Sequence, residues 1–98
     1  MGKLNGAEVV SRLGSVPDWK QSGDEISRTF TFKDFAGAMG FVNAVAGEAE
    51  KANHHPDIDI RWNKVTLKLS THDAGGLTEK DFALAKIADQ LASKHARS

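Results

Sequence analysis

The chain has 98 residues, with 13 Lys and Arg against 13 Asp and Glu, 40% apolar residues and no cysteine. A formal net charge of zero argues against a direct nucleic-acid binder, which would need a basic surplus to meet phosphates. Without cysteine there is no disulfide framework, thiolate-bound zinc, iron–sulfur cluster or thiol nucleophile.

Residues 1–98 are expected to form a single domain, with one core of modest size. No apolar run approaches the roughly 20 residues of a membrane helix, and no signal-like apolar block opens the chain. No membrane partner is expected, and the cytoplasm is the expected location.

The first element is marked by its cap. Asn5 and Glu8 stand in capping-box spacing, Leu4 and Val9 in the spacing of a hydrophobic staple, and Gly14 and Pro17 stop the helix near Leu13. Ser22-Gly23-Asp24 then separates two short runs, about 18–22 and 25–32. In the second run Ile26, Phe30 and Phe32 alternate with Ser27, Thr29 and Thr31, with Arg28 interrupting the apolar side.

Residues 34–52 return to a helical period, with Phe35, Met39, Val42, Ala46 and Ala49 as the expected buried stripe. Gly37, Gly40 and Gly47 each lower helix propensity by up to about 1 kcal/mol relative to Ala, so this helix depends on packing. Its small residues suit close approach to a neighbouring helix.

Alternation resumes at Asp57–Thr71. Taking Asn63-Lys64 as a two-residue turn predicts Trp62 opposite Val65, Ile60 opposite Leu67, Ile58 opposite Leu69 and Asp59 opposite Lys68. A last helix starts at Thr78, with Asp81 in capping position and Leu84, Ile87, Ala88, Leu91 and Ala92 on its apolar side. The pattern predicts an α+β fold in the order α-β-β-α-β-β-α, a four-stranded antiparallel sheet with three helices on one face.

Carried past its ends, the hairpin register sets His55 opposite His72, with His54 and Asp73 beside them. Three of the four histidines converge at one end of the sheet; His95 lies in the last helical turn, where a cation suits the helix dipole. Three chemistries fit such a cluster. One is a divalent metal site, for which adjacent residues on an extended chain project awkwardly. The second is metal-free acid–base catalysis, for which imidazole, with a reference pKa of about 6.5, both donates and accepts protons near neutrality. The third is an interaction domain in which the cluster has no catalytic part. Taken singly, Trp62 reads as a core or edge-packing aromatic, Asp81 as a helix cap and Glu50 as a solvated residue near a helix end.

Glu50-Lys51-Ala52-Asn53-His54-His55-Pro56, Trp62-Asn63-Lys64-Val65, Leu69-Ser70-Thr71-His72-Asp73 and Gly76-Leu77-Thr78-Glu79-Lys80-Asp81 resemble the pterin-4a-carbinolamine dehydratase family. Phe32-Lys33-Asp34-Phe35 and Gly40-Phe41 resemble its helical segment, and the likeness runs from about Ala7 to Leu91. The resemblance implies a hydro-lyase that converts 4a-hydroxytetrahydropterin to quinonoid dihydropterin, recycling the cofactor of aromatic amino-acid hydroxylases without a metal or organic cofactor of its own.

It further implies His54 and His72 as the acid–base pair and His55 as a residue that binds or orients the pterin. Asn53, Ser70, Thr71 and Asp73 would line the pocket, with Glu50, Pro56, Trp62 and Asp81 in support. A homo-oligomer, dimer or tetramer, is expected, with an aromatic amino-acid hydroxylase as a possible companion in the same pathway. The alternative the family offers is a non-catalytic dimerisation or coactivator module for a transcription factor.

Overall fold

The computed structural model describes residues 2–95. Helix α1 (Gly6–Leu13) starts as its cap dictates. The Glu8 amide donates to Asn5 Oδ1 and the Asn5 amide donates to Glu8 Oε1, both at 2.9 Å. Leu4 and Val9 are both buried, and the Leu4 amide is tied to the Leu77 carbonyl at 2.8 Å. An Arg12–Glu79 ion pair joins α1 to α3 (Glu79–His95). Asn5→Ala removes the reciprocal cap and is expected to destabilise the protein by about 1 kcal/mol. In a thermal melt that corresponds to a midpoint about 4–8 °C lower.

Strands β1 (Lys20–Ser22), β2 (Glu25–Thr31), β3 (Asp57–Arg61) and β4 (Lys64–Leu69) form one antiparallel sheet in the order β1-β2-β4-β3. The three helices cover one face of it. Alternation turns Ile26 and Phe30 of β2 and Val65, Leu67 and Leu69 of β4 into the buried core, leaving the other face polar. Arg28 points to the core side without being stranded there: its guanidinium lies 4.3 Å from the Phe30 ring centroid and 2.6 Å from Asp89 Oδ1. Trp19, buried just before β1, donates its indole N–H to the same carboxylate oxygen at 2.9 Å.

Helix α2 (Phe35–Ala52) is capped by Asp34, whose side chain accepts the Gly37 amide at 2.8 Å. Its buried stripe is Ala38, Phe41, Val42, Val45 and Ala49 rather than the expected Phe35, Met39, Val42, Ala46 and Ala49. Phe41 decides the rotation. Its ring packs 4.8 Å from Phe30 and 4.9 Å from Phe32, which seats the helix on the Phe41 side and leaves Phe35 half exposed.

The β3–β4 hairpin also departs from expectation. Arg61 pairs with Lys64, Ile60 with Val65, Ile58 with Leu67 and Asp57 with Lys68, so the turn is Trp62-Asn63 and the register moves by two residues. A two-residue shift preserves which side chains share a face, so the polarity pattern cannot detect it. The turn is set by a long-range contact. Asn63 donates its side-chain N–H to the Phe32 carbonyl and accepts the Phe32 amide, both at 2.8 Å. Trp62 therefore takes the left-handed conformation at φ 53°, a cost of roughly 1–2 kcal/mol for a residue with a β-carbon. At 70% exposure Trp62 is neither a core nor an edge-packing residue.

Candidate active site

The site is built where α2 ends and β3 begins. Asn53 terminates α2 in the left-handed conformation at φ 50°, and the following His54 amide bonds back to the Ala49 carbonyl at 3.1 Å. The chain leaves this cap extended, so consecutive side chains face opposite ways. His54 turns inward under α3, and His55 turns outward over the open face of the sheet.

His54 is 8% exposed, and its Nε2 lies 2.6 Å from Asp81 Oδ1 in the first turn of α3. Asp81 is fully buried, and its Oδ2 accepts the Thr71 hydroxyl at 2.8 Å and the Thr78 backbone N–H at 2.9 Å. The Thr71 and Thr78 hydroxyls are themselves 2.8 Å apart. Because Thr71 gives its proton to Asp81, Thr78 donates to Thr71 and accepts the Lys80 amide at 3.3 Å. An ionised carboxylate only accepts, so facing Asp81 the His54 Nε2 is the N–H nitrogen. Among the described residues, no hydrogen bond engages His54 Nδ1. Asp81 is thus both the helix cap that the sequence suggests and the group that orients His54.

On the outer side His55 Nε2 meets Glu50 Oε2 at 2.5 Å. His55 and His72 line the same cavity, of about 320 Å³, together with Asp24, Glu25, Asp57, Lys68, Leu69, Ser70, Gly75 and Gly76. His72 opens a short 3-10 turn, His72–Ala74, which Gly75 closes at φ 76°. The next residue, Gly76, pairs with Thr71, and a β-carbon there would stand 2.7 Å from Lys3 Cε, so the flexible lysine side chain would have to move aside.

With the shifted register, His55 falls level with Ser70 rather than with His72. The two rings nevertheless share the cavity, because the 3-10 turn brings His72 back over the end of β4. Of the other residues singled out in the sequence, Ser70 lines the cavity, Thr71 holds Asp81 and Glu50 holds His55. Asn53, Pro56 and Asp73 stand next to these residues in the chain but do not line the cavity, and Trp62 sits at the opposite end of β3. Glu25, Asp57 and Lys68 line the wall without having been singled out, and Thr78 completes the buried network. Their signal was the strand alternation, which puts Glu25, Asp57, Lys68 and Ser70 on one face. Among the described residues, no three His, Asp or Glu side chains converge as a metal site. No helix among them is long and apolar enough to cross a membrane.

The fold and site together define a small α+β protein with a histidine-lined cavity at one end of its sheet. Residues 2–91 match the family model described as pterin 4 alpha carbinolamine dehydratase. A protein of Roseiflexus castenholzii, provisionally named pterin-4-alpha-carbinolamine dehydratase, is 58% identical over 88 residues, 90% of this chain and 95% of its own. One of Thermosynechococcus vestitus with the same provisional name is 51% identical over 90 residues, 92% of this chain and 95% of its own.

Among solved structures, a transcriptional coactivator/pterin dehydratase from Brucella melitensis superimposes with a TM-score of 0.90 at 34% identity, covering 93% of this chain and 99% of that one. A pterin dehydratase-like protein described as a RuBisCO assembly factor in the alpha-carboxysome gives a TM-score of 0.63 at 25% identity, covering 76% of this chain and 86% of its own. The chain belongs to the pterin-4a-carbinolamine dehydratase family.

Proposed function

We propose that the protein dehydrates 4a-hydroxytetrahydropterin to quinonoid dihydropterin in the cytoplasm, restoring the cofactor that aromatic amino-acid hydroxylases consume. The reaction breaks the C4a–O bond and the N5–H bond, forms the C4a–N5 double bond and releases one water. It therefore needs one group to take a proton and another to give one, in a cavity wide enough for the bicyclic ring. His54 is the base, acting through Nδ1 while Asp81 keeps Nε2 protonated. His72 protonates the departing hydroxyl. His55, steadied by Glu50, holds the ring on the open side.

The observation that supports this reading is the cavity shared by His55 and His72, with His54, the next residue in the chain, held by the buried Asp81 and not itself on the cavity wall. One ring has its tautomer set by a buried carboxylate, and another stands on the wall of a cavity beside a third. In a dehydration assay on chelator-treated protein, loss of the hydroxy adduct is expected to run well above the uncatalysed background. Chelation is expected to leave the rate unchanged. Full activity in both His54→Ala and His72→Ala would overturn the assignment.

A second reading, a protein-interaction module, is favoured by the large apolar side chains left on the surface. Val10 is 68%, Phe35 51% and Trp62 70% exposed. The outer face of α2, with Phe35, Ala36 and Ala46 exposed and open space at Gly47, suits self-association into a dimer or tetramer. An interaction module would bind no pterin and would keep its biological effect with the histidines replaced.

A further inference from the structure

The cavity wall carries more than the histidines. Glu25, at the start of β2, is half-buried, and no hydrogen bond or ion pair among the described residues engages its carboxylate. Among the described residues Lys68, on the same wall, has no carboxylate within ion-pair distance either. A carboxylate on the wall of an open cavity, with no partner among the described residues, is available to the donors of whatever occupies that cavity.

We propose that Glu25 is a specificity-determining residue, binding the 2-amino and N3–H edge of the pterin; this rests on the dehydratase reading above. The pyrimidine half of a pterin presents an exocyclic amino group and a ring N–H side by side. Two adjacent donors of that kind match the two oxygens of one carboxylate, as an arginine fork does. The position fits as well. Ile26 pairs with Leu69, so the next step of the register sets Glu25 beside Ser70 on β4. The β3 register, run back from Asp57–Lys68, sets His55 on the other side of Ser70. Glu25 and His55 thus flank β4 on the open face, two strand spacings or about 10 Å apart at the backbone. That span suits a bicyclic ring lying across β4, its amino edge at Glu25 and its reacting C4a–N5 bond toward the histidines.

The other carboxylates on the wall are placed differently. Asp24 has a largely exposed side chain and lies 3.9 Å from Lys3 Nζ. Asp57 belongs to the histidine side, two positions from His55 and paired across the sheet with Lys68.

The test is substrate discrimination. Wild-type protein, Glu25→Gln and Glu25→Asp are assayed with 4a-hydroxytetrahydropterin and with its 2-oxo counterpart, whose edge places an acceptor where the amino group was. Wild-type protein is expected to prefer the 2-amino substrate by at least about tenfold in kcat/KM, the scale of a charge-assisted hydrogen bond. Glu25→Gln keeps the side-chain shape but not the charge. It is expected to raise KM for the 2-amino substrate about ten- to a hundredfold, to hold kcat within about threefold and to erase the preference, while Glu25→Asp retains it.

An unchanged preference in Glu25→Gln, or none in wild-type protein, overturns the proposal while leaving the dehydratase reading standing. Wild-type protein that accelerates neither substrate overturns both. Thermal melts of all three proteins are expected to agree within a few degrees, since Glu25 holds no other side chain.

Discussion

His72→Ala is expected to lower kcat for dehydration about a hundredfold or more, with the thermal midpoint unchanged. The two halves of that result come from one observation: His72 is exposed on the cavity wall, and its ring makes no hydrogen bond to any described residue. Removing it leaves no buried group unsatisfied, so the fold loses nothing of consequence. The reaction, however, loses the proton donor for the departing hydroxyl. A positioned acid or base contributes about 10²–10⁴ in rate. KM should change less than kcat, because the ring is held by other residues and the imidazole matters most as the C–O bond breaks. The measurement is steady-state dehydration with the uncatalysed rate subtracted. A kcat within about threefold of wild type would remove His72 from the mechanism.

Asp81→Ala should act in the opposite sense, on stability first. The substitution leaves His54 Nε2–H, the Thr71 hydroxyl and the Thr78 amide without their acceptor, at a position with no solvent exposure. Each buried donor left without its acceptor costs about 1–3 kcal/mol, so three such donors weigh heavily against a total of about 5–15 kcal/mol for a domain. The thermal midpoint is expected to fall by about 15 °C or more. Activity, measured at a temperature where the variant remains folded, should fall with it, because His54 loses the contact that sets its tautomer. A midpoint within a few degrees of wild type would mean that the network contributes little to folding.

These two variants separate groups that the chain places close together. His54 and His55 are neighbours, yet one is anchored in the helix-covered interior and the other lies on the open sheet face. Extended geometry alone dictates that they diverge. Which of them goes inward depends on the left-handed Asn53 cap and on Asp81 waiting beneath α3. Asp81 is legible in the sequence as a helix cap, whereas Asn53 is not marked there as one. The acceptance by Asp81 of a histidine and a threonine as well as a backbone amide is not legible, because those partners come from distant segments.

The hairpin and α2 show the same division. Alternation identified the β3–β4 hairpin and its faces, but the register moved by two residues because Asn63 is bonded to Phe32 on β2. Helical periodicity located α2 to within a residue, while the buried stripe was chosen by Phe41 meeting Phe30 and Phe32. Convergence of His55 and His72 was legible despite the shift, since both lie near the end of β4 in either register. Glu25 as part of the cavity was not, because its place follows from β2 lying beside β4, a pairing that no local pattern encodes.

The sequence by itself therefore determined the elements, their order, the α1 cap, the faces of the strands and the end of the sheet where the histidines gather. Each of these follows from hydrogen bonds or periodicities spanning a few residues. Tertiary structure alone decided the hairpin register, the rotation of α2, the opposite environments of His54 and His55 and the carboxylates on the cavity wall. Those depend on which distant side chain fills a space or meets a polar group, and the free energy of burial is assigned only once the layers have come together.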